Sequence, residues 1–167
     1  MENLLNRRNT IVVVALLALW RLHLSAALQL HPDEAYYWLW SRYLDWSYFD
    51  HPPMVAYFIW ASTLGSKSEL WVRMSATLIL LAASVMMWRL ALQLFKSEAV
   101  AAGSVILFNL YPLTMLGLIV MTPDVPVVFF WCLGVYMFWQ VLYRGTNLVR
   151  SYFISAGAAA VVPTSLN

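Results

Sequence analysis

Between His31 and Pro53 the chain reads HPDEAYYWLWSRYLDWSYFDHPP, which gathers four carboxylates, two imidazoles and eight aromatic rings into 23 residues. Two kinds of chemistry fit such a set. A carboxylate can take a proton from an incoming hydroxyl as a general base, and an acid beside an imidazole can hold a divalent cation or an anionic phosphate. Asp33 is the candidate for the first role. Following Pro32, it can also cap a helix, and the two roles coexist only if one carboxylate oxygen stays available. Asp50, directly before His51-Pro52-Pro53, is the candidate metal ligand, with His51 the candidate phosphate contact; capping the next helix is the structural alternative. A third acid, Asp124, lies in Met121-Thr122-Pro123-Asp124-Val125-Pro126. Thr122 and Pro123 can start a helix without it, which leaves Asp124 for a ligand.

These residues need a scaffold, and composition says what kind. The chain has 167 residues, 62% hydrophobic and 11% charged, whereas a soluble domain is roughly 25% charged. It is a polytopic, all-α membrane protein. A net charge of +2 from ten basic and eight acidic residues is too balanced to suggest nucleic-acid binding, and no nucleic-acid partner is expected. Cys132, alone in an apolar run, supports neither an intrachain disulfide nor a thiolate metal site.

About five apolar segments approach the roughly 20 residues needed to cross a bilayer: 11–30, 70–95, 99–121, 125–143 and 147–162. The first contains Arg21, which costs about 2.5–3.5 kcal/mol at a helix centre, but eleven Leu, Ile and Val residues return about 0.3–0.6 kcal/mol each. Insertion is therefore expected, with Arg21 turned toward protein. A cleaved leader ending near Ala27 is the rival reading; Arg21 and His23 between the apolar core and the cut oppose it. Residues 54–64 are too short to span and are expected to lie at the interface. With the N-terminus inside, Arg7, Arg8, Arg89, Lys96, Arg144 and Arg150 then all face the cytoplasm. Six of the eight acids, Asp33, Glu34, Asp45, Asp50, Glu69 and Asp124, fall on the opposite side. The expectation is one transmembrane domain, 1–167, in a plasma membrane such as the bacterial inner membrane, with the first loop outside.

Within that loop, residues 34–44 read as a surface helix whose polar stripe is Glu34, Ser41, Arg42 and Asp45. The rings are most simply an interface belt. Arg73 and Arg89, at the ends of the second span, read as interface anchors, and Arg73 can instead meet a lipid phosphate. Glu34, Arg42, His51, Arg73 and Asp124 form the candidate substrate-binding set around Asp33.

HPDEAYYWLWSRYLDWSYFDHPPMVAYFIW, then the arginine of LWVRMSATL, then MTPDVPVVFFW, in that order, resemble the N-terminal part of family 39 glycosyltransferases, which include dolichyl-phosphate-mannose protein mannosyltransferases and bacterial aminoarabinose transferases. The resemblance covers about Leu16 to Tyr143. It implies the N-terminal part of a C-type glycosyltransferase fold, with two interfacial helices in the first outer loop above a lipid-facing cavity. It also implies transfer of a sugar from a polyprenyl-phosphate donor to a hydroxyl of a lipid, glycan or protein acceptor. Asp33 matches the catalytic aspartate, Asp50 an acid that contacts a metal in some relatives, His51 a donor-side position, and Asp124 a second family acid. A divalent ion is the one cofactor the resemblance admits. Some relatives carry an arginine three residues after the aspartate; here Tyr36 stands there. Family members continue through further spans, so the chain is expected to be an N-terminal portion, inactive alone. The competing class is a small non-catalytic subunit or transporter fragment. Transporters keep their ionisable groups near the midplane, and these acids lie at the boundary.

Overall fold

A computed structural model of the chain describes residues 5–117 and 119–144, which form helices and the turns between them. Helix α1, Arg7–Ala27, starts where the Asn6 side chain accepts from the Asn9 amide at 2.9 Å. Helix α2, Pro32–Arg42, follows after four residues. Its cap is His31, not Asp33: His31 Nδ1 accepts from the Asp33 amide, Pro32 occupies the first turn, and Glu34 reaches back to the His31 N–H at 3.0 Å. This is a capping box in which histidine replaces the usual hydroxyl. Helix α3, Met54–Ser62, begins after the two prolines. At about 14 Å it cannot cross a bilayer.

Helix α4, Glu69–Phe95, is the longest element. Lys96 ends it in the left-handed region, φ 51°, with its N–H on Leu92, so Ser97 can cap α5, Glu98–Leu110, at once. Helix α6 runs Asp124–Arg144. Among the described residues, α1, α4 and α6 are long and apolar enough to span a membrane.

The expected span 99–121 is instead interrupted. Helix α5 has 13 residues, about 20 Å, and is followed by Tyr111, Pro112 and a π-helical turn, Leu113–Gly117. Pro112 supplies no amide for the Phe108 carbonyl, which accepts from Thr114 Oγ1 instead, and its ring collides with the preceding turn, so α5 stops with its last carbonyls short of helical donors. Arg21 reaches across to this end. It is 1% exposed and donates to Asn109 Oδ1 at 3.1 Å, to the Asn109 carbonyl at 3.0 Å and to the Thr114 carbonyl at 3.5 Å. A cation at a helix C-terminus is also favoured by the macrodipole. Arg21 does face protein, as expected. The expected span 147–162 lies outside the described residues.

The core joins the surface helices to the spans: Tyr37 and Trp40 of α2, Val55, Ala56 and Ile59 of α3, Val72, Ala76, Ile79 and Leu80 of α4, then Met121 and Val125. Where α4 meets α5, small residues such as Ala83, Ala101 and Ala102 are fully buried, which lets the backbones approach closely.

Candidate active site

The residue that holds this end of the molecule together is Glu34, fully buried at the third position of α2. Its Oε1 accepts from Arg73 Nε at 2.8 Å and from the Met121 amide at 3.0 Å. Its Oε2 accepts from Arg73 Nη2 at 2.5 Å and from the His31 amide at 3.0 Å. Arg73, 2% exposed, sends its remaining donors to the carbonyls of Ser25, Leu28 and Gln29 at 3.3, 2.8 and 2.9 Å. A guanidinium has five N–H donors, and here all five are used. The pair therefore ties the end of α1, the start of α2, the start of α4 and the stretch of chain before α6.

This corrects two expectations. Glu34 does not line a polar surface stripe, and Arg73 is not an interface anchor; neither has hydrogen-bonding capacity left for a substrate. Ser41 is also buried, with its hydroxyl on the Trp38 carbonyl at 2.6 Å. Only Arg42 and Asp45 of the expected stripe are exposed. The helical period put Glu34 and Ser41, seven residues apart, on one face, but that face looks inward with Tyr37.

Because His31 and Glu34 cap α2, Asp33 is not needed there. Its side chain is 68% exposed and lies 3.5 Å from His31 Nδ1. Two cavities meet at it. One, about 280 Å³, is lined by Asp33, Tyr37, His51, Thr122 and Asp124 among others. The other, about 310 Å³, is lined by His31, Asp33, Leu113, Thr114, Thr122 and Asp124. Asp33, Thr122 and Asp124 are common to both, so the cavities form neighbouring parts of one groove. Each is near the small end of the range for ligand pockets.

Tyr37 is the site residue that sequence reasoning passed over as belt. It is four positions after Asp33, hence on the same helical face. Its ring meets His51 edge-on at 5.8 Å. Burial, followed by the charges of Asp33, Asp124 and Asp50, pushes its phenol above the ordinary range. It stays protonated at neutral pH and can donate a hydrogen bond into a groove walled by acids.

Asp50 is turned to a different task. It accepts from the Tyr36 hydroxyl at 2.9 Å, and that bond, before any effect of burial or charge, raises the Tyr36 pKa. It neither caps α3, whose N-cap is Pro53 without a side-chain bond, nor joins a metal-binding cluster. No group of three His, Cys, Asp or Glu suited to a metal occurs among the described residues. A metal held at Asp50 would therefore need ligands besides the described carboxylates, imidazoles and thiol. Tyr36 instead fastens the loop to α2. Tyr48 reinforces it, stacking on Trp40 at 4.2 Å and donating to the Tyr43 carbonyl at 2.8 Å. Arg42 is exposed at the far end of α2, about 13 Å along the axis from Asp33, and does not line the groove.

A family model described as dolichyl-phosphate-mannose-protein mannosyltransferase matches residues 50–163. Asp50, His51, Arg73 and Asp124 fall inside that stretch, and Asp33 precedes it. No curated protein and no solved structure matches the chain.

Proposed function

We propose, from the premise that this chain belongs to the dolichyl-phosphate-mannose-protein mannosyltransferase family, that its groove is where a membrane glycosyltransferase moves a sugar from a polyprenyl-phosphate donor to an acceptor hydroxyl, with Asp33 as the base. The observation that carries this reading is a carboxylate released from helix capping and exposed on the wall common to two cavities.

The chemistry asks little of the protein. The acceptor oxygen attacks the anomeric carbon while its proton passes to Asp33, and the bond from that carbon to the phosphate oxygen breaks. The polyprenyl phosphate departs as a stable anion without needing a proton. Direct displacement of this kind inverts the anomeric centre, by analogy with inverting glycosidases. Since Arg73 is committed to Glu34, the groups available to the phosphate and sugar are the Tyr37 and Thr122 hydroxyls and the imidazoles of His31 and His51. Asp124, exposed at the start of α6, is the acceptor for sugar hydroxyls. By the distribution of basic residues, the groove opens on the non-cytoplasmic side.

The test is stereochemical. Membranes containing the longest natural form of the protein are supplied with a polyprenyl-phosphate sugar of known anomeric configuration, and the product linkage is read by NMR. The expected product has the opposite configuration. Retention, or transfer that requires a nucleotide sugar instead, would overturn the reading.

A further inference from the structure

Away from the Asp33 groove, a cavity of about 360 Å³ lies between α1 and α4. Each helix contributes five residues to it at i, i+3, i+4, i+7 and i+8, beginning at Arg7 in α1 and at Leu81 in α4. One face of each helix therefore lines it. The helices run antiparallel, since the end of α1 meets Arg73 near the start of α4. Arg7, the first of one set, and Arg89, the last of the other, accordingly share one end of the groove. The lining stretch of each helix, nine residues with a rise of about 12 Å, extends from that end. Side chains such as Ile11, Val14, Leu81 and Val85 make this stretch mostly apolar, and no acid lines it. Trp88, next to the arginines, suits the depth at which an indole meets headgroups.

We propose that this groove binds an anionic phospholipid, its phosphate held between Arg7 and Arg89 and one acyl chain lying along α1 and α4. Two cations above an apolar trough match that ligand in both charge and shape. A second copy of the chain docked symmetrically would oppose the same arginines, which like-charge repulsion disfavours. The site is separate from the Asp33 groove: Arg89 lies 16 residues beyond Arg73 on α4, about 24 Å away along the axis.

The experiment titrates the purified chain in neutral detergent with phosphatidylglycerol and with phosphatidylcholine, and follows retained lipid by native mass spectrometry. The parent should retain one phosphatidylglycerol in preference to phosphatidylcholine. The R7Q/R89Q double variant should lose that preference, with retention weaker on the order of tenfold. R8Q, which removes a neighbouring exposed charge outside the groove, should behave as the parent. V85W, placed where Val85 is 51% exposed so that folding tolerates it, should fill the trough and reduce retention with both arginines present. Equal retention of the two lipids by the parent, an effect of R8Q as large as that of R7Q/R89Q, or undiminished retention by V85W would each overturn the proposal. So would dimer formation in place of lipid retention.

Discussion

Glu34 and Arg73 show how a charged pair can be structural in a site rich in acids. Both ions are buried and every donor of Arg73 is used, so removing one partner leaves the other without compensation. E34Q and R73M should each destabilise the fold by about 3–5 kcal/mol, read as a large fall in the thermal midpoint in detergent, while the apolar double replacement E34L/R73M should cost less than either single change. Two tolerated single variants would contradict this. The pairing was not legible beforehand, because the partners are 39 residues apart and a lone Glu beside a catalytic Asp reads as a second ligand. Tyr36 makes a smaller prediction at the same scale. Its hydrogen bond to Asp50 favours the neutral phenol and raises its folded-state pKa. The resulting stabilisation is complete below the unfolded value of about 10 and is lost as pH rises through the raised folded value. Y36F should remove that alkaline dependence of the thermal midpoint; an unchanged profile in Y36F would show that the loop draws nothing from this bond.

Among the elements, α5 departs most from what its composition suggests. The apolar run from Ala99 to Met121 looks continuous, and Pro112 is its one warning. Helix α5 ends at Leu110, because proline removes a helical donor and a buried arginine from another helix can satisfy the exposed carbonyls. That compensation links Arg21 to residues 88 and 93 positions away and is invisible to any local pattern. R21L should cost about 1–3 kcal/mol for each orphaned carbonyl, with R21K intermediate, measured by unfolding in mixed detergent; stability equal to the parent in R21L would mean that the interruption supports itself. By contrast α1, α4, α6 and the two short helices were readable to within a few residues, since long apolar runs, prolines and caps are local signals. The cap of α2 belongs to His31, not to Asp33, for which the sequence left capping open beside catalysis because imidazole caps are uncommon and Asp is ordinarily favoured at that position. The difference matters, since capping was the main structural alternative to catalysis at Asp33.

At the scale of the whole molecule, the buried core and the Glu34–Arg73 pair form a platform on which two short helices and the start of α6 hold Asp33, Tyr37, His51 and Asp124 around one groove. The order of acids and prolines in the sequence was enough to suggest the family, because those residues recur in order along the chain. Which of them face the groove depended on the register of α2, and here the sequence pointed to Glu34 and Arg73 where the fold uses Tyr37 and Thr122. Y37F should slow sugar transfer while leaving the fold intact, since it deletes one hydroxyl and no ring contact; a rate equal to the parent would remove Tyr37 from the site. The most direct measurement is the single-turnover rate of transfer from bound polyprenyl-phosphate sugar by D33N, made in the longest natural form of the protein. Loss of a general base should lower that rate by about 10²–10⁴-fold with donor binding and thermal midpoint unchanged. A D33N protein that binds donor and transfers sugar at the parent rate would contradict the assignment of Asp33 as the base.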